Sequence, residues 1–313
     1  MRDLIFSFNA TMPVFLMMVI GFFLRSIHWI DDEFASRLNR FVFKLPLPVL
    51  VFSQLATTDF RSTWDGRFVL FCFLATLCSI TLVALISLLI KNASRGEFVQ
   101  ASYRSSAALL GIAYITNIYG EASMSALMIL GSVPLYNVMA VVVLTITSPE
   151  NKKLSGSTVQ KTLFGIIKNP IIIGIALGML WSVLRIPMPH ILDKTVHNIG
   201  SIASPLGLIA MGASIKPDKI SGALAPSLVA SFFKLVGLAA IFLPIAISLG
   251  FRTDKLIAIL IMLGSATTVS SFVMARSMGH EGTLTSNTVV ITTLLSAFTL
   301  TGWIYILKVF NLI

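Results

Sequence analysis

Charge is scarce in this chain of 313 residues: Asp, Glu, Lys and Arg make up 12% of it, against 56% hydrophobic residues. The mean hydropathy is +0.91. Soluble domains carry about a quarter charged residues, and half that share cannot cover a water-exposed surface of this size. The composition excludes a soluble globular protein. A spanning helix takes roughly 20 apolar residues, so the length suits about ten helices and leaves none for a large catalytic domain outside the bilayer. Cysteine is nearly absent: Cys72 and Cys78 fall on different faces of one apolar run, without metal-ligand spacing. The histidines, His28, His190, His197 and His280, are too scattered for a metal site. There is no G-x-S-x-G, H-E-x-x-H or Walker A sequence, so neither a catalytic site nor a cofactor is expected. Acidic residues are confined to segment ends and loops, with Glu121 and Glu281 the deepest. Cation pumps and exchangers usually carry a carboxylate in their membrane path, and none is obvious here.

What the chain does have is a formal net charge of +10. The basic residues lie in short loops between apolar runs, where they orient helices rather than bind nucleic acid. Ten apolar segments follow from the breaks: 11 to 29, 38 to 58, 67 to 90, 97 to 119, 122 to 147, 163 to 184, 195 to 214, 222 to 249, 255 to 278 and 284 to 310. The first continues past the length of a signal-peptide core and reads as a span. With the N-terminus outside, thirteen Lys and Arg fall in inner loops, Arg104 among them, and eight fall outside. The expectation is a multi-pass protein of a cell membrane, the inner membrane of a bacterium, with both termini outside.

Comparing the chain with itself at an offset of about 157 to 161 residues aligns Pro13 with Pro170, Gly21 with Gly178, Arg25 with Arg185, Asn39 with Asn198, Pro46 with Pro205 and Gly120 with Gly279. Ordered matches over such a length predict two copies of one unit: 1–147, a cytoplasmic linker 148–162, and 163–313. Five spans per copy force the second to insert upside down, the inverted-repeat arrangement of many secondary transporters. The predicted fold is therefore an all-α integral membrane protein of ten helices in two inverted five-helix repeats.

Segments four and nine hold equivalent places in the repeats, and both are rich in small and hydroxylated residues. Ser105, Ser106 and Gly111 stand in one; Gly264, Ser265, Thr267 and Thr268 stand in the other. Paired interruptions of this kind point to a midplane site where half-helix N-termini face an anion. Lys234 lies near the middle of segment eight, and Lys44 several residues inside segment two. An ionisable group at such depth suggests a functional site, and buried positive charge favours an anionic cargo. Among the intramembrane polar residues Asn117, Tyr136, Asn137 and Asn287, Asn137 joins the candidate contacts.

The stretch Asn39-Arg40-Phe41-Val42 with Pro46-Leu47-Pro48, then Arg104-Ser105, Ser204-Pro205-Leu206, and Val269-Ser270-Ser271-Phe272 with Gly279, resembles the auxin efflux carrier family, whose bacterial members are described as malonate or malate permeases. The resemblance spans essentially the whole chain. It implies two inverted repeats, a scaffold and a transport domain, and helices four and nine crossing where each breaks at a proline. Here Ser106 stands at that family's asparagine, Ala113 at one proline and Thr267 or Thr268 at the other. The partners expected are a small organic anion and membrane lipid, with no nucleic acid; a homodimer is compatible. The alternatives are a Na⁺-coupled organic anion symporter of the bile-acid type and a membrane sensor.

Overall fold

The computed structural model describes residues 2–56, 64–90, 94–107, 115, 123–148, 167–215 and 217–313. Its regular structure is helical, and the one strand-like pairing among the described residues is an antiparallel bridge between Ser105 and Thr267. Among the described residues, four helices are long and apolar enough to cross a membrane: Gly66–Leu89, Leu127–Ile146, Gly222–Ser248 and Thr283–Val309. Met12–Ser26 and Pro170–Leu184 are shorter apolar helices. The expected linker lies, apart from Ser148, outside the described residues, as do Gly111, Ala113, Asn117 and Glu121.

In chain order the helices are α1 (Arg2–Ser26), α2 (Asp32–Lys44), α3 (Pro46–Ala56), α4 (Gly66–Ile86), α5 (Arg95–Tyr103), α6 (Ser123–Ile146) and α7 (Pro170–Leu184). Then come α8 (His190–Ser201), α9 (Ala203–Ser214), α10 (Pro217–Phe232), α11 (Leu238–Ser248), α12 (Thr253–Gly264), α13 (Val269–Ser277) and α14 (Thr283–Val309). A single π turn, Phe233–Gly237, joins α10 to α11 without breaking the rod.

Three expected segments are each a pair of helices. Segment 38 to 58 parts at Leu45, whose φ of −128° and ψ of −68° leave the helical region. The next residue, Pro46, opens α3, where a missing N–H costs nothing because the first turn of any helix has no acceptors for it. Segment 195 to 214 parts at Ile202, with Pro205 in the first turn of α9. Segment 255 to 278 parts over residues 265–268, and α13 resumes at Val269. No proline stands at that break.

Local signals place the remaining ends. Asp31 caps α2 by accepting the Phe34 amide at 2.6 Å, with Asp32 and Glu33 in the first turn and Lys44 in the last, as the helix dipole favours. The Asn169 side chain caps α7 at the Ile171 amide, and Pro170 follows at the first helical position. Asp65 caps α4 through the Phe68 amide at 3.1 Å.

The same Asp65 carboxylate accepts a hydrogen bond from Lys255 Nζ at 2.6 Å, tying the start of α4 to the start of α12. The Lys255 contact holds the Asp65 carboxyl below the usual carboxylate range. A depressed native pKa contributes stability above the unfolded value of about 4 and loses it as pH falls through the native one. Asp65→Asn keeps the capping oxygen and removes the charge. It is expected to lower the melting temperature at pH 7 and to show a smaller deficit at pH 3, below the unfolded value. Thermal denaturation at both pH values checks this; an equal deficit at both would assign the loss to the cap.

Helices α3 and α7 pack face to face, as do α1 and α9; α8 lies against α3, and α2 against α9. Elsewhere α4 packs on α6, and α14 packs on both α1 and α10. Glycines allow these close approaches, Gly178 and Gly21 among them. A Cβ at Gly178 would stand 2.8 Å from the Phe52 carbonyl oxygen of α3, and one at Gly21 would collide with the Ile209 carbonyl of α9.

Candidate functional site

Helix α5 stops at Tyr103 and α12 at Gly264, and the chain beyond each runs extended: Arg104 has φ −73° and ψ 119°, Ser265 φ −80° and ψ 167°. The two extended stretches lie antiparallel, with the Ser106 amide donating to the Ala266 carbonyl at 3.0 Å. A helix that ends among apolar side chains leaves its last carbonyls unpaired, at a cost of about 1–3 kcal/mol each. Here each end is served from across the crossing. The Ser105 hydroxyl donates to the Met262 carbonyl in the last turn of α12. Thr267 Oγ1 donates at 2.8 Å to the Ala101 carbonyl in the last turn of α5. The Thr267 amide is taken by Thr292 Oγ1 of α14 at 3.0 Å.

Further partners complete the end of α12. Tyr136 of α6 donates its hydroxyl to the Met262 carbonyl at 2.8 Å, and Lys234 Nζ donates to the Leu263 carbonyl. Lys234 sits in the π turn and has no exposed surface. Its ammonium is thus a cationic cap on a buried helix C-terminus, where the dipole is negative. The π turn displaces backbone groups, and Trp303 Nε1 of α14 donates to the Leu235 carbonyl there at 3.1 Å.

Beside the crossing lies a cavity of about 450 Å³. Its walls are mostly apolar, including Val14 and Met17 of α1, Leu50 of α3 and Leu208 of α9; exposed His197 and Ser201 stand at its rim. Its polar end is the crossing: Arg104, Ser105, Ser106, Asn137, Thr268 and Ser270. Helix α13 begins here, so its first-turn amides lie at the same end and favour negative charge.

Arg104 dominates this end. Only 2% of it is exposed, yet its partners among the described residues are neutral: Asn137 Oδ1 at 2.7 Å, Ser270 Oγ at 2.9 Å and the Met274 sulfur. Its Nε has no partner among the described residues. A buried guanidinium without a carboxylate is poorly compensated, and a planar anion satisfies its fork geometry.

Of the residues singled out from the sequence, Ser105, Ser106, Thr268 and Asn137 line the cavity. Gly264, Ser265 and Thr267 are buried behind it in the crossing itself, and Lys234 stands behind them as the cap. Lys44 is not brought to the site: it is exposed at the end of α2. Gly111 lies outside the described residues.

Arg104 and Ser270 are the residues the sequence reading missed. Arg104 was expected in an inner loop, and its burial corrects that. The available signal was a cation set directly before the serine pair that interrupts an apolar run. Glu97 was likewise missed as a buried carboxylate, 2% exposed. It accepts the Gly282 amide at 2.8 Å and the Thr285 amide and hydroxyl at 3.0 and 3.1 Å, so it caps α14 rather than facing the cavity.

Comparison with known proteins agrees with this architecture. A family model described as "Membrane transport protein" matches residues 6–304. A protein of Rhizobium meliloti (strain 1021) named "Putative malonate transporter" is 25% identical over 316 residues, covering 96% of this chain and 95% of that one. Among solved structures, the sodium proton antiporter of Methanocaldococcus jannaschii superposes with a TM-score of 0.60 at 13% identity, over 95% of this chain and 97% of the other. That last likeness is one of fold.

Proposed function

Because the chain belongs to the membrane transport protein family, that of the auxin efflux carriers, it is a membrane transporter, and we propose that its cargo is a small organic anion, a carboxylate, moved by alternating access. The observation that carries the reading is Arg104, a buried guanidinium with neutral partners at the polar end of the cavity. The α13 N-terminus adds a second source of positive potential, and the apolar walls exclude water, which strengthens both. The name of the Rhizobium relative agrees with this cargo class. Exchange of cations, as in the structurally similar antiporter, would call for a carboxylate in the path. Among the described residues lining the cavity there is none.

The scaffold for this motion, in our reading, is the pair of inverted five-helix repeats expected from the sequence. Two reciprocal pairs of contacts support it. Phe52 stands to Ile209 in the numbering as Gly21 stands to Gly178, and each glycine packs on the other repeat's partner. At the crossing, each repeat likewise serves a carbonyl in the last turn of the other's half-helix.

Uptake into proteoliposomes tests the cargo. Labelled malonate is expected to accumulate and to be displaced by other short mono- and dicarboxylates, while malonamide, of the same shape without charge, fails to compete. Transport of amide and acid alike, or of a cation alone, would refute the anion reading.

A further inference from the structure

A second polar cleft, of about 470 Å³, lies between α2 and α13 and is lined by Ser36, Asn39, Arg40, Arg276, Ser277 and Gly279, together with Met278. Its place follows from the order of residues along the two helices. On α2 the cleft residues 36, 39 and 40 precede Val42, which lines the main cavity; on α13 the cavity residues 269, 270 and 273 precede the cleft residues 276 and 277. Both helices therefore run from one space into the other, with about one turn between them. Asn39 bridges the two helices at that turn. Asn39, 3% exposed, donates from Nδ2 to the Val273 carbonyl at 3.1 Å and to Ser277 Oγ at 3.1 Å, while its Oδ1 has no partner among the described residues.

The charge of the cleft is one-sided. The nearby acids of α2 are engaged elsewhere, Asp32 with Arg25 and Glu33 with Arg37, both at 2.5 Å. Arg276 donates to a backbone carbonyl, that of Glu281, at 3.1 Å. Arg40 has no ion-pair partner among the described residues and is exposed. Two guanidinium groups flanked by the Ser36 and Ser277 hydroxyls suit a carboxylate. The main cavity reaches the surface at His197 and Ser201, so the cleft is the space beyond its sealed end.

We propose that this cleft is a second anion-binding site, the vestibule through which the carboxylate leaves or enters at the far end of its path, and that Asn39 is the latch on the seam between vestibule and cavity. The inference rests on the anion-carrier reading for the identity of its ligand, though not for its charge. The unpaired Oδ1 leaves the latch one bond short of full satisfaction, so opening it exposes few groups that were fully paired. The same face could hold an anionic lipid headgroup, which offers the same oxygen chemistry.

Charge-selective thiol labelling tests it. Ser36→Cys in a Cys78→Ser background places a reporter in the cleft beside the arginines, since the other native thiol, Cys72, is buried. In nanodiscs of neutral lipid, a sulfonate-bearing methanethiosulfonate should react at least about tenfold faster than its ammonium analogue, because a focused positive potential concentrates anions by that factor or more. Added malonate should slow the sulfonate reaction, and Arg40→Gln with Arg276→Gln should abolish both the preference and the protection. In proteoliposomes, with the reagent supplied only on the face where the cleft opens, Asn39→Ala should render a Val273→Cys reporter reactive. Equal rates for the two reagents, or no protection by malonate, overturn the site. Protection by phosphatidylglycerol alone, with malonate ineffective, assigns the cleft to lipid and overturns the vestibule. Absence of malonate uptake by the unmodified protein, with labelling still protected, would sink the carrier reading and leave the anion site standing.

Discussion

Arg104→Gln should raise the malonate concentration for half-maximal uptake by roughly 10- to 100-fold, while leaving the empty protein at least as stable as before. The two halves of this expectation have one cause. A charge-assisted hydrogen bond contributes about 1.5–3 kcal/mol, and each 1.4 kcal/mol is a factor of ten in binding. In the empty protein the same guanidinium is buried among neutral partners, so it is a desolvated charge with incomplete compensation. Replacing it with an amide of similar reach relieves that cost and can retain the contact with Asn137. A merely structural arginine would behave in the opposite way, lowering the melting temperature with or without cargo. The decisive measurement is thermal stability across a malonate titration. The parent protein should gain roughly 2.7 kcal/mol at a hundred times its dissociation constant, and the variant only about 0.4–1.4 kcal/mol at that concentration. Arg104→Lys should fall between the two, because an ammonium keeps the charge and loses the planar fork. Unchanged uptake by Arg104→Gln would move the cargo site away from the crossing.

The second large effect is expected at the glycines. Gly178→Val and Gly21→Val should each lose several degrees of melting temperature or fail to yield monodisperse protein, and the two losses should be alike. A side chain at either position meets a backbone carbonyl of the facing helix, which cannot rotate away as a flexible side chain could. Overpacking of that kind costs about 1–3 kcal/mol and sometimes more. The comparison needs a glycine without such a neighbour. Gly302 of α14 has open space where its Cβ would go, so Gly302→Ala should be neutral or gain up to about 1 kcal/mol from helix propensity. A tolerant Gly178 beside an intolerant Gly21 would contradict the equivalence of the two packing sites, and with it the repeat.

Hydropathy alone sufficed for the continuous rods α4, α6, α10 with α11, and α14, because a long apolar run has few other states in a bilayer. It failed at Leu45 and Ile202. The prolines were visible there, but each follows its break inside an uninterrupted apolar run, and an average over a window cannot register a turn of backbone. The break after Gly264 was legible in its cluster of Ser and Thr, since those residues can pair backbone groups that a helix abandons. The depth of Lys234 was legible too. Its partner was not, because the Leu263 carbonyl comes to it through the packing of the π turn and α11 on α12 and not through any spacing in the chain. Arg104 and Glu97 share one reason for being overlooked: in a one-dimensional reading, a charge at the edge of an apolar run marks water. Only the crossing and the start of α14, which are assembled from distant residues, turn those edges inward.

The reciprocal bonds at the crossing also decide which parts of this protein can slide. Pulling the two extended stretches apart would take the Thr267 donor from the Ala101 carbonyl and leave the Met262 carbonyl only Tyr136, in a medium without water to replace what was lost. The half-helices are therefore joined, and on the alternating-access reading proposed above a stroke would carry both as one piece. The opposite bank of the cavity, built from such side chains as Val14, Met17, Leu50 and Leu208, is greased rather than bolted. Apolar contacts have no preferred direction, so one such contact can be exchanged for the next along the surface at little cost. On that reading the bonds of the crossing stay inside the moving piece, the apolar wall is its bearing, and Asn39, bonded from α2 to α13, is a directional contact that must open between them.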